Sequence, residues 1–242
     1  MCRILLVLSL MLSFASAEAQ FTRYSKGTRN NMTLIGVPLA LSGQLTQGRV
    51  TPLTMEEIAK LREREFNRFD RWSIHPINYN ADKISDFFVL TSLALPAAAI
   101  PAMNTDQAVN GMHLYLQAAM ANYFLMTFTK GLAHRPRPYV FEGSTPSDIL
   151  TDREATISFY SGHTSTASTF SFLAASLIQQ YSGSRTIRTL GWVTAIAVPA
   201  VVGYLRMRAG KHWYTDVLVG YASGAMIGMG IPLLHSNDRK LR

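Results

Sequence analysis

The stretch WYTDVLVGYASGAMIGMGIPLL, residues 213–234, decides the fold. After Asp216 it contains no charged side chain, and its length is close to the ~20 apolar residues that cross the hydrocarbon of a bilayer. Gly220, Gly224 and Gly228 recur at every fourth position, a spacing of small residues that lets two membrane helices approach closely. The stretch therefore predicts a membrane helix that packs tightly against a neighbouring helix.

Four other apolar stretches lie upstream, at about 86–103, 108–129, 162–181 and 190–206. Prolines inside some of them are better tolerated in membrane helices than in soluble ones. Hydrophobic residues make up 48% of the chain and charged residues 16%, which also allows a soluble bundle with a buried core. Membrane helices are the favoured interpretation. The predicted fold is all-α, an integral-membrane helical bundle with about five spanning helices after an N-terminal signal or anchor.

The N-terminus predicts a secretory signal or an uncleaved anchor over residues 1–19. Arg3 precedes a short apolar run, and residues 15–17 (Ala-Ser-Ala) have the small-residue pattern of a signal cleavage site. Either outcome places residue 21 onward outside the cytoplasm. Cys2 is the only cysteine, so a cleaved chain would hold no disulfide and no thiolate metal site.

Residues 20–85 are predicted to form a polar extracytoplasmic segment that contains an amphipathic helix. Thr54 and Glu57 have the spacing of a capping box, and apolar residues follow at near-helical intervals up to residues 75–76. Such a helix could lie on a membrane surface or pack against the rest of the protein. The bundle itself is assigned to residues 86–236.

The positive charge of the chain is interpreted as a signal of membrane topology. The 23 Lys and Arg against 15 Asp and Glu give a net charge of +8, but no basic stripe alternates with aromatic residues, so nucleic acid is not an expected partner. Arg185, Arg188 and the basic tail at 239–242 fit the positive-inside rule if they lie in the cytoplasm. The loop at 130–161 then lies on the outer face.

Three polar clusters are expected to meet on that outer face. They are 130–138 (KGLAHRPRP), 160–166 (YSGHTST) and 206–216 (RMRAGKHWYTD). Each lies at the outer end of an apolar stretch, so packing of the helices would gather them in one place.

The side chains of these clusters favour an anion. Lys130, Arg137 and Arg206 are fixed cations, and arginine presents a planar fork that matches phosphate oxygens. Ser161 and Gly162 stand at the expected start of a helix, where free backbone N–H groups and the helix dipole also favour an anion. The pattern therefore predicts a phosphate-binding site. Three further cations lie nearby and would strengthen the positive field: Arg135, Arg208 and Lys211.

Two histidines add chemistry to this site. His212 and Asp216 are four positions apart, so they are expected to share one helix face. A carboxylate on one ring nitrogen would fix the tautomer and leave the other nitrogen free to attack. His163 is suited to proton transfer. Taken alone, His212 is equally compatible with a buried structural histidine, a metal ligand or a nucleophile.

The order and spacing of the three clusters resemble the signature of the type 2 phosphatidic acid phosphatase (PAP2) family, part of the acid phosphatase/vanadium haloperoxidase superfamily. The first family motif, Lys, six residues, Arg-Pro, is matched in full within 130–138. In the second, Pro-Ser-Gly-His, the tripeptide at 161–163 matches and Tyr160 replaces the proline. In the third, Ser-Arg, five residues, His, three residues, Asp, the pattern at 206–216 matches and Leu205 replaces the serine.

The resemblance implies a role for each matched residue. His212 would be the nucleophile that forms a phosphohistidine, Asp216 would hold it, and His163 would protonate the leaving oxygen. No metal and no cofactor would be required. The phosphate would be bound by five groups: Lys130, Arg137, Ser161, Gly162 and Arg206.

The expected substrate is a lipid phosphate or pyrophosphate, because the site would lie at headgroup level. Undecaprenyl pyrophosphate, phosphatidylglycerophosphate, phosphatidate and lipid A all fit. With a bacterial host assumed, the expected location is the inner membrane, with the active site facing the periplasm. The oligomeric state is left open. Two alternatives stay open as well: a secreted non-specific acid phosphatase of the same superfamily, and a non-catalytic membrane protein that binds lipid headgroups.

Overall fold

The computed structural model describes residues 26–62 and 68–235 as helices joined by turns, with no strand in these two ranges. The predicted signal or anchor and the basic tail at 239–242 lie outside the described residues. Short 3₁₀ turns occur at Asp70–Ser73, Leu95–Ala102, Pro138–Phe141 and Arg153–Thr156. The α-helices of the described ranges are α1 Lys26–Gly48, α2 Met55–Arg62, α3 Tyr79–Ala94, α4 Thr105–Ala133, α5 Ser147–Leu150, α6 Gly162–Tyr181, α7 Arg185–Arg208 and α8 Tyr214–His235.

Helix α6 lies at the centre of the bundle. It contacts α3, α4, α7 and α8, and most of its length is buried. Its buried face is rich in Ala, Ser and Thr, whose small side chains allow neighbouring helices to approach. On α8 a Cβ atom added at Gly220 would lie 2.6 Å from the Ser161 carbonyl oxygen, which is closer than real Cβ atoms come. The predicted close packing of the glycine-rich helix is therefore confirmed.

All five apolar stretches predicted from the sequence are helical in the structure. Within the described residues, three helical segments are long and apolar enough to cross a membrane: Tyr79–Ala102, Arg185–Arg208 and Tyr214–His235. Helix α6 is less apolar, and because the other helices surround it, it needs little lipid-facing surface of its own. The prediction of an all-α membrane bundle is confirmed.

Helix α1 was not predicted, because its sequence was interpreted as part of a polar segment. It packs along α4: Tyr123 donates a hydrogen bond to Gln44 over 2.6 Å, and Gly131 approaches the backbone of Thr46. Large apolar side chains such as Leu41 and Leu45 are exposed on its other side. The structure thus places a long helix from the N-terminal segment directly against the bundle.

The predicted amphipathic helix is shorter than expected. The capping box is present, since the Thr54 N–H donates to the Glu57 carboxylate over 2.8 Å and the Glu57 N–H donates to the Thr54 hydroxyl over 3.3 Å. Helix α2 is described over Met55–Arg62, and it does not continue to residue 75, because residues 68–73 form turns. Ile58 is buried against Tyr139 and its neighbours, so α2 packs on the protein. The extension was wrong because exposed aromatic residues farther along belong to a separate 3₁₀ turn.

Candidate active site

The three polar clusters meet at one end of the bundle. Helices α4 and α7 end there, and α6 and α8 begin there. They surround an open cavity of about 520 Å³. Residues from all three predicted clusters line it, together with side chains from α1 and α3. The lining residues are Gln47, Asp82, Asp86, Val89, Met126, Lys130, Arg137, Glu154, Gly162, His163, Thr166, Arg206, Lys211 and His212.

Arg137 is the best-fixed cation of the cavity. It is 5% exposed, and its Nε atom donates to the Glu154 carbonyl oxygen over 2.6 Å. One terminal nitrogen donates to the Lys211 carbonyl oxygen over 2.9 Å, and the other donates to the Glu154 carboxylate over 2.9 Å. These bonds hold the guanidinium plane in one orientation beside His212.

Lys130 and Arg206 complete the buried positive wall. Lys130 is 7% exposed and donates to the Ile157 carbonyl oxygen over 2.9 Å. Arg206 is 4% exposed and donates to the Asp82 carboxylate and, over 3.2 Å, to the Ser85 hydroxyl. Buried cations are costly without a counter-charge, and the carboxylates of Glu154 and Asp82 compensate Arg137 and Arg206.

The start of α6 supplies the predicted turn. The Ser161 hydroxyl accepts a hydrogen bond from the Thr164 N–H over 3.4 Å and is fully buried, so it acts as the helix N-cap. Gly162 and His163 line the cavity. A side chain at Gly162 would collide with the sulfur of Met126. Gly162 therefore lines the cavity close to Met126, while Ser161 stabilises the helix start.

His212 is almost completely buried, at 1% exposed. Its Nδ1 atom lies 3.6 Å from the Asp216 carboxylate, and its Nε2 atom lies 3.5 Å from the terminal nitrogen of Arg137. Burial lowers the pKa of His212 well below its usual value, and the nearby charges of Arg137, Arg206 and Lys130 lower it further. The ring is therefore neutral, with Nε2 directed towards the cations of the cavity.

The expectation that His212 and Asp216 share a helix face was wrong. His212 precedes α8, which begins at Tyr214. A turn brings the two side chains together: the Trp213 N–H donates to the Asp216 carboxylate over 3.0 Å, and Gly210 adopts a φ of 68°. Only glycine takes up such a conformation without strain, which is why the turn contains one at this position.

Asp216 is held from several sides. It is fully buried and accepts hydrogen bonds from Arg135 and Ser158 as well as from the Trp213 N–H. The sequence did not indicate Ser158, and it predicted Arg135 only as a cation near the phosphate-binding site. The structure turns Arg135 towards Asp216 and stacks it over the Trp213 ring, 5.3 Å from the ring centroid.

Two carboxylates from α3 also face the cavity, and sequence reasoning missed both. Asp82 pairs with Arg206 and lies 3.6 Å from the Lys211 ammonium. The Asp86 carboxylate lies 2.7 Å from Nε2 of His163. The two residues are four positions apart at the start of an apolar helix, which is the signal that could have found them.

Lys211 and Arg208, two of the further cations predicted near the site, differ in their placement. Lys211 lines the cavity, and burial lowers its pKa. Arg208 is exposed and lines a separate cleft of about 430 Å³ with residues 75–80. In the loop at 139–160, Glu154 pairs with Arg137. Only some of the neighbouring charges therefore reach the cavity.

The part of the chain that lines most of the cavity matches a known family. The family model for the PAP2 superfamily matches residues 112–240, which include all three polar clusters. The chain belongs to the PAP2 superfamily. The superfamily match leaves out α1, α2 and α3, and with them Asp82 and Asp86.

Two curated relatives are phospholipid phosphatase 2 from Rattus norvegicus and from Homo sapiens. The rat protein is 35% identical over 77 residues, which is 31% of this chain and 28% of the relative. The human protein is 34% identical over 85 residues, which is 34% of this chain and 28% of the relative. The chain thus spans under a third of the length of these PAP2 relatives. No solved structure matches it significantly.

Proposed function

We propose that this protein is a phosphatase that removes a phosphate group from a phosphomonoester or pyrophosphate of a membrane lipid. One observation carries the proposal. Three buried cations, Lys130, Arg137 and Arg206, line a cavity into which the neutral imidazole of His212 also projects. A binding module for anionic headgroups needs the cations, but it has no need for a buried neutral histidine backed by Asp216.

The first chemical step is the formation of a phosphohistidine. Nε2 of His212 attacks phosphorus, the bond from phosphorus to the leaving oxygen breaks, and His163 gives a proton to that oxygen. Asp216 lies on the far side of the ring and stabilises the positive charge that develops on it. The proximity of Nε2 to Arg137 supports this assignment, because Arg137 can hold a phosphoryl oxygen beside the attacking atom.

The second step is hydrolysis. His163 accepts a proton from a water molecule, the water oxygen bonds to phosphorus, and the bond from phosphorus to His212 breaks. In both steps Lys130, Arg137 and Arg206, together with the amide of Gly162, neutralise the equatorial oxygens. Loss of one such preorganised donor typically costs ~3–4 kcal/mol of transition-state stabilisation. We propose that these cations and amide do this without a metal ion.

The substrate assignment rests on where the cavity lies. It opens at the ends of helices that are long and apolar enough to cross a membrane, and its wall includes Val89 and Met126 beside the cations. A phosphate on a lipid headgroup would reach the cations while its chain stayed among apolar side chains. The curated relatives are named phospholipid phosphatases, which supports the same substrate class. Undecaprenyl pyrophosphate, phosphatidylglycerophosphate, phosphatidate and lipid A remain the candidate substrates.

The orientation is part of the proposal. Arg185 and Arg188 lie at the end of the bundle opposite the cavity, as the positive-inside rule requires if the site faces away from the cytoplasm. We therefore place the protein in a bacterial inner membrane with its site facing the periplasm.

The test is phosphate release by purified protein over a panel of lipid phosphates and p-nitrophenyl phosphate. Wild-type protein should release phosphate, and His212→Ala should release none while it keeps the elution volume of the folded protein. His75→Ala, a histidine outside the cavity, is the matched control. Substantial turnover by His212→Ala would overturn the role of His212, and an inactive wild type would overturn the proposed function.

Orthovanadate and a chelator separate this mechanism from metal catalysis. Orthovanadate resembles the transition state of phosphoryl transfer and should inhibit, whereas EDTA should leave activity unchanged. Loss of activity with EDTA that a divalent ion restores would show that a metal takes part.

A further inference from the structure

Asp70 is a buried carboxylate that lies outside the region matched by the family. It belongs to the short turn Asp70–Ser73 and is 1% exposed, whereas its neighbours Phe69 and Trp72 are largely exposed. Its side chain therefore points into the protein, as does that of Ser73, although Phe69 and Trp72 face outward. A buried carboxylate needs partners that compensate its charge.

The partners of Asp70 belong to the wall behind the nucleophile. Asp70 accepts a hydrogen bond from Arg135 over 2.7 Å, from the Thr215 N–H over 3.1 Å and from the Thr215 hydroxyl over 2.9 Å. The other terminal nitrogen of Arg135 donates to Asp216 and, over 2.8 Å, to the Thr215 hydroxyl. Arg135 thus bridges two buried carboxylates, one of which faces His212.

Arg135 is shared between two carboxylates. Because its guanidinium binds Asp70 as well as Asp216, it compensates Asp216 less completely than it would in a pair with Asp216 alone. Asp216 presents this negative charge to Nδ1 of His212 at 3.6 Å. In a buried site such a charge interacts more strongly with the ring than it would in water.

We infer that Asp70 is a positioning residue for the proposed phosphatase reaction. It orients Arg135 and leaves Asp216 with enough negative charge to stabilise the His212 ring when that ring is phosphorylated. The inference rests on the proposed function. It assigns a role in the reaction to a residue that lies before the first membrane helix of the family match.

A purely structural role for Asp70 has different consequences. If Asp70 only linked the N-terminal segment to α8, its loss would affect the melting temperature but not the turnover of folded protein. As a positioning residue it acts on the phosphorylation step. The cations proposed to bind phosphate lie on the other side of His212, so loss of the Asp70 carboxylate should change substrate binding little. The discriminating readout is therefore kcat against KM in folded protein.

The experiment compares Asp70→Asn with wild type on p-nitrophenyl phosphate in detergent. Asparagine keeps an acceptor for Thr215 but removes the charge next to Arg135. We expect kcat to fall about 10- to 100-fold, the range seen when residues that orient metal ligands are lost, with KM within about twofold. Asp70→Glu keeps the charge and should recover part of kcat. Glu56→Gln removes an exposed carboxylate of the same segment and is the control that should match wild type.

A double-mutant cycle tests whether Asp70 acts through Arg135. In an Arg135→Gln background, Asp70→Asn should lower kcat by less than twofold, because the residue it acts through is gone. Should Asp70→Asn not fold, Arg135→Lys provides the test, since lysine keeps the charge but cannot bridge both carboxylates, and its kcat should fall by a similar factor. Unchanged kcat in folded Asp70→Asn or in Arg135→Lys would overturn the inference. If wild type and His212→Ala are both inactive, the proposed function fails instead.

Discussion

His212 gains its chemical character from its surroundings. A histidine in water is half protonated near pH 6.5, and a protonated ring cannot attack phosphorus. Burial and the charges of Arg137, Arg206 and Lys130 lower the pKa of His212, so the ring stays neutral in the free protein below that pH. The cations proposed to hold phosphate therefore also keep His212, the proposed nucleophile, unprotonated.

This pKa shift predicts how stability depends on pH. The folded protein keeps His212 neutral, whereas the unfolded chain protonates it below about pH 6.5. The contribution of the neutral His212 ring to the free energy of unfolding is therefore fully present above pH 6.5. It is lost as pH falls below that value, by at most about 1.4 kcal/mol per pH unit. Melting temperatures in detergent between pH 7.5 and 5 should fall less steeply for His212→Gln than for wild type. His75→Gln is the control. If the melting temperatures of His212→Gln and wild type fall in parallel with pH, the lowered pKa of His212 is contradicted.

Arg137 should be sensitive even to a conservative change. Lysine would keep the charge but could not reproduce the bonds that fix the guanidinium on Glu154 and Lys211. We expect Arg137→Lys to lower kcat/KM about 100-fold, as for loss of one oxyanion donor. Arg208→Lys, an exposed arginine in a different cleft, is the matched control and should stay within about twofold of wild type. Equal activities of the two variants would argue against phosphate binding by Arg137.

Asp86 should weaken the binding of phosphate. Its carboxylate lies on the cavity wall and pairs with His163, where it competes with an incoming anion. Asp86→Asn is expected to lower the inhibition constant of inorganic phosphate about two- to fivefold, a modest effect because Asp86 is largely exposed. Asp106→Asn, at the opposite end of α4, should leave that constant unchanged. Weaker phosphate inhibition in Asp86→Asn would show that the carboxylate assists binding.

Sequence reasoning found the residues of the site that follow a local spacing. The cations and histidines recur in three short clusters, and bundle packing explains why they meet. Asp70 and Ser158 could not be found in this way, because their partners Arg135 and Asp216 are distant in sequence. Such pairs exist only after the helices pack, and a single sequence gives no local signal for them.

At the scale of whole elements, the contact of α6 with α8 sets the geometry of the site. Helix α6 begins at Gly162 and α8 carries Asp216 in its first turn, so a displacement of one helix separates the two halves of the site. Gly220 permits the contact, because α8 meets the carbonyl oxygen of Ser161 at that point.

Gly220→Ala should therefore lower both stability and activity. The added methyl group would force α8 away from α6, at a cost of about 1–3 kcal/mol, and would move Asp216 relative to His163. Gly230→Ala is the matched control, since a side chain there meets open space. Melting temperature and kcat measure the two effects. If the alanine variants behave alike, the close contact is not needed for the site.

The sequence predicted helices well where apolar residues form long runs. It missed α1, because apolar residues alternate with polar ones there and Pro38 lies inside the helix. It also extended α2 too far, because charged residues between apolar positions do not show where a short helix ends. In both cases packing against other elements, which a local pattern does not contain, decided the outcome.

At the scale of the molecule, exposed apolar side chains surround the bundle. Leu90, Leu190, Leu218 and Leu233 are each at least half exposed on helices of spanning length. In water this surface would drive association, whereas in a bilayer it contacts lipid.

The protein should consequently stay with the membrane when peripheral proteins are removed. After an alkaline carbonate wash we expect it in the membrane pellet, and only detergent should bring it into solution. Recovery of active monomer in the carbonate supernatant would instead support the secreted acid phosphatase.

The bridge made by Arg135 has a consequence for biosynthesis. Asp70 is synthesised first, Arg135 follows, and Asp216 emerges near the end of the described chain. Until α8 has inserted, Arg135 lacks one of its two carboxylates and His212 lacks its support. The proposed catalytic centre can therefore form only after α8 has left the ribosome, and a chain interrupted before α8 would lack it.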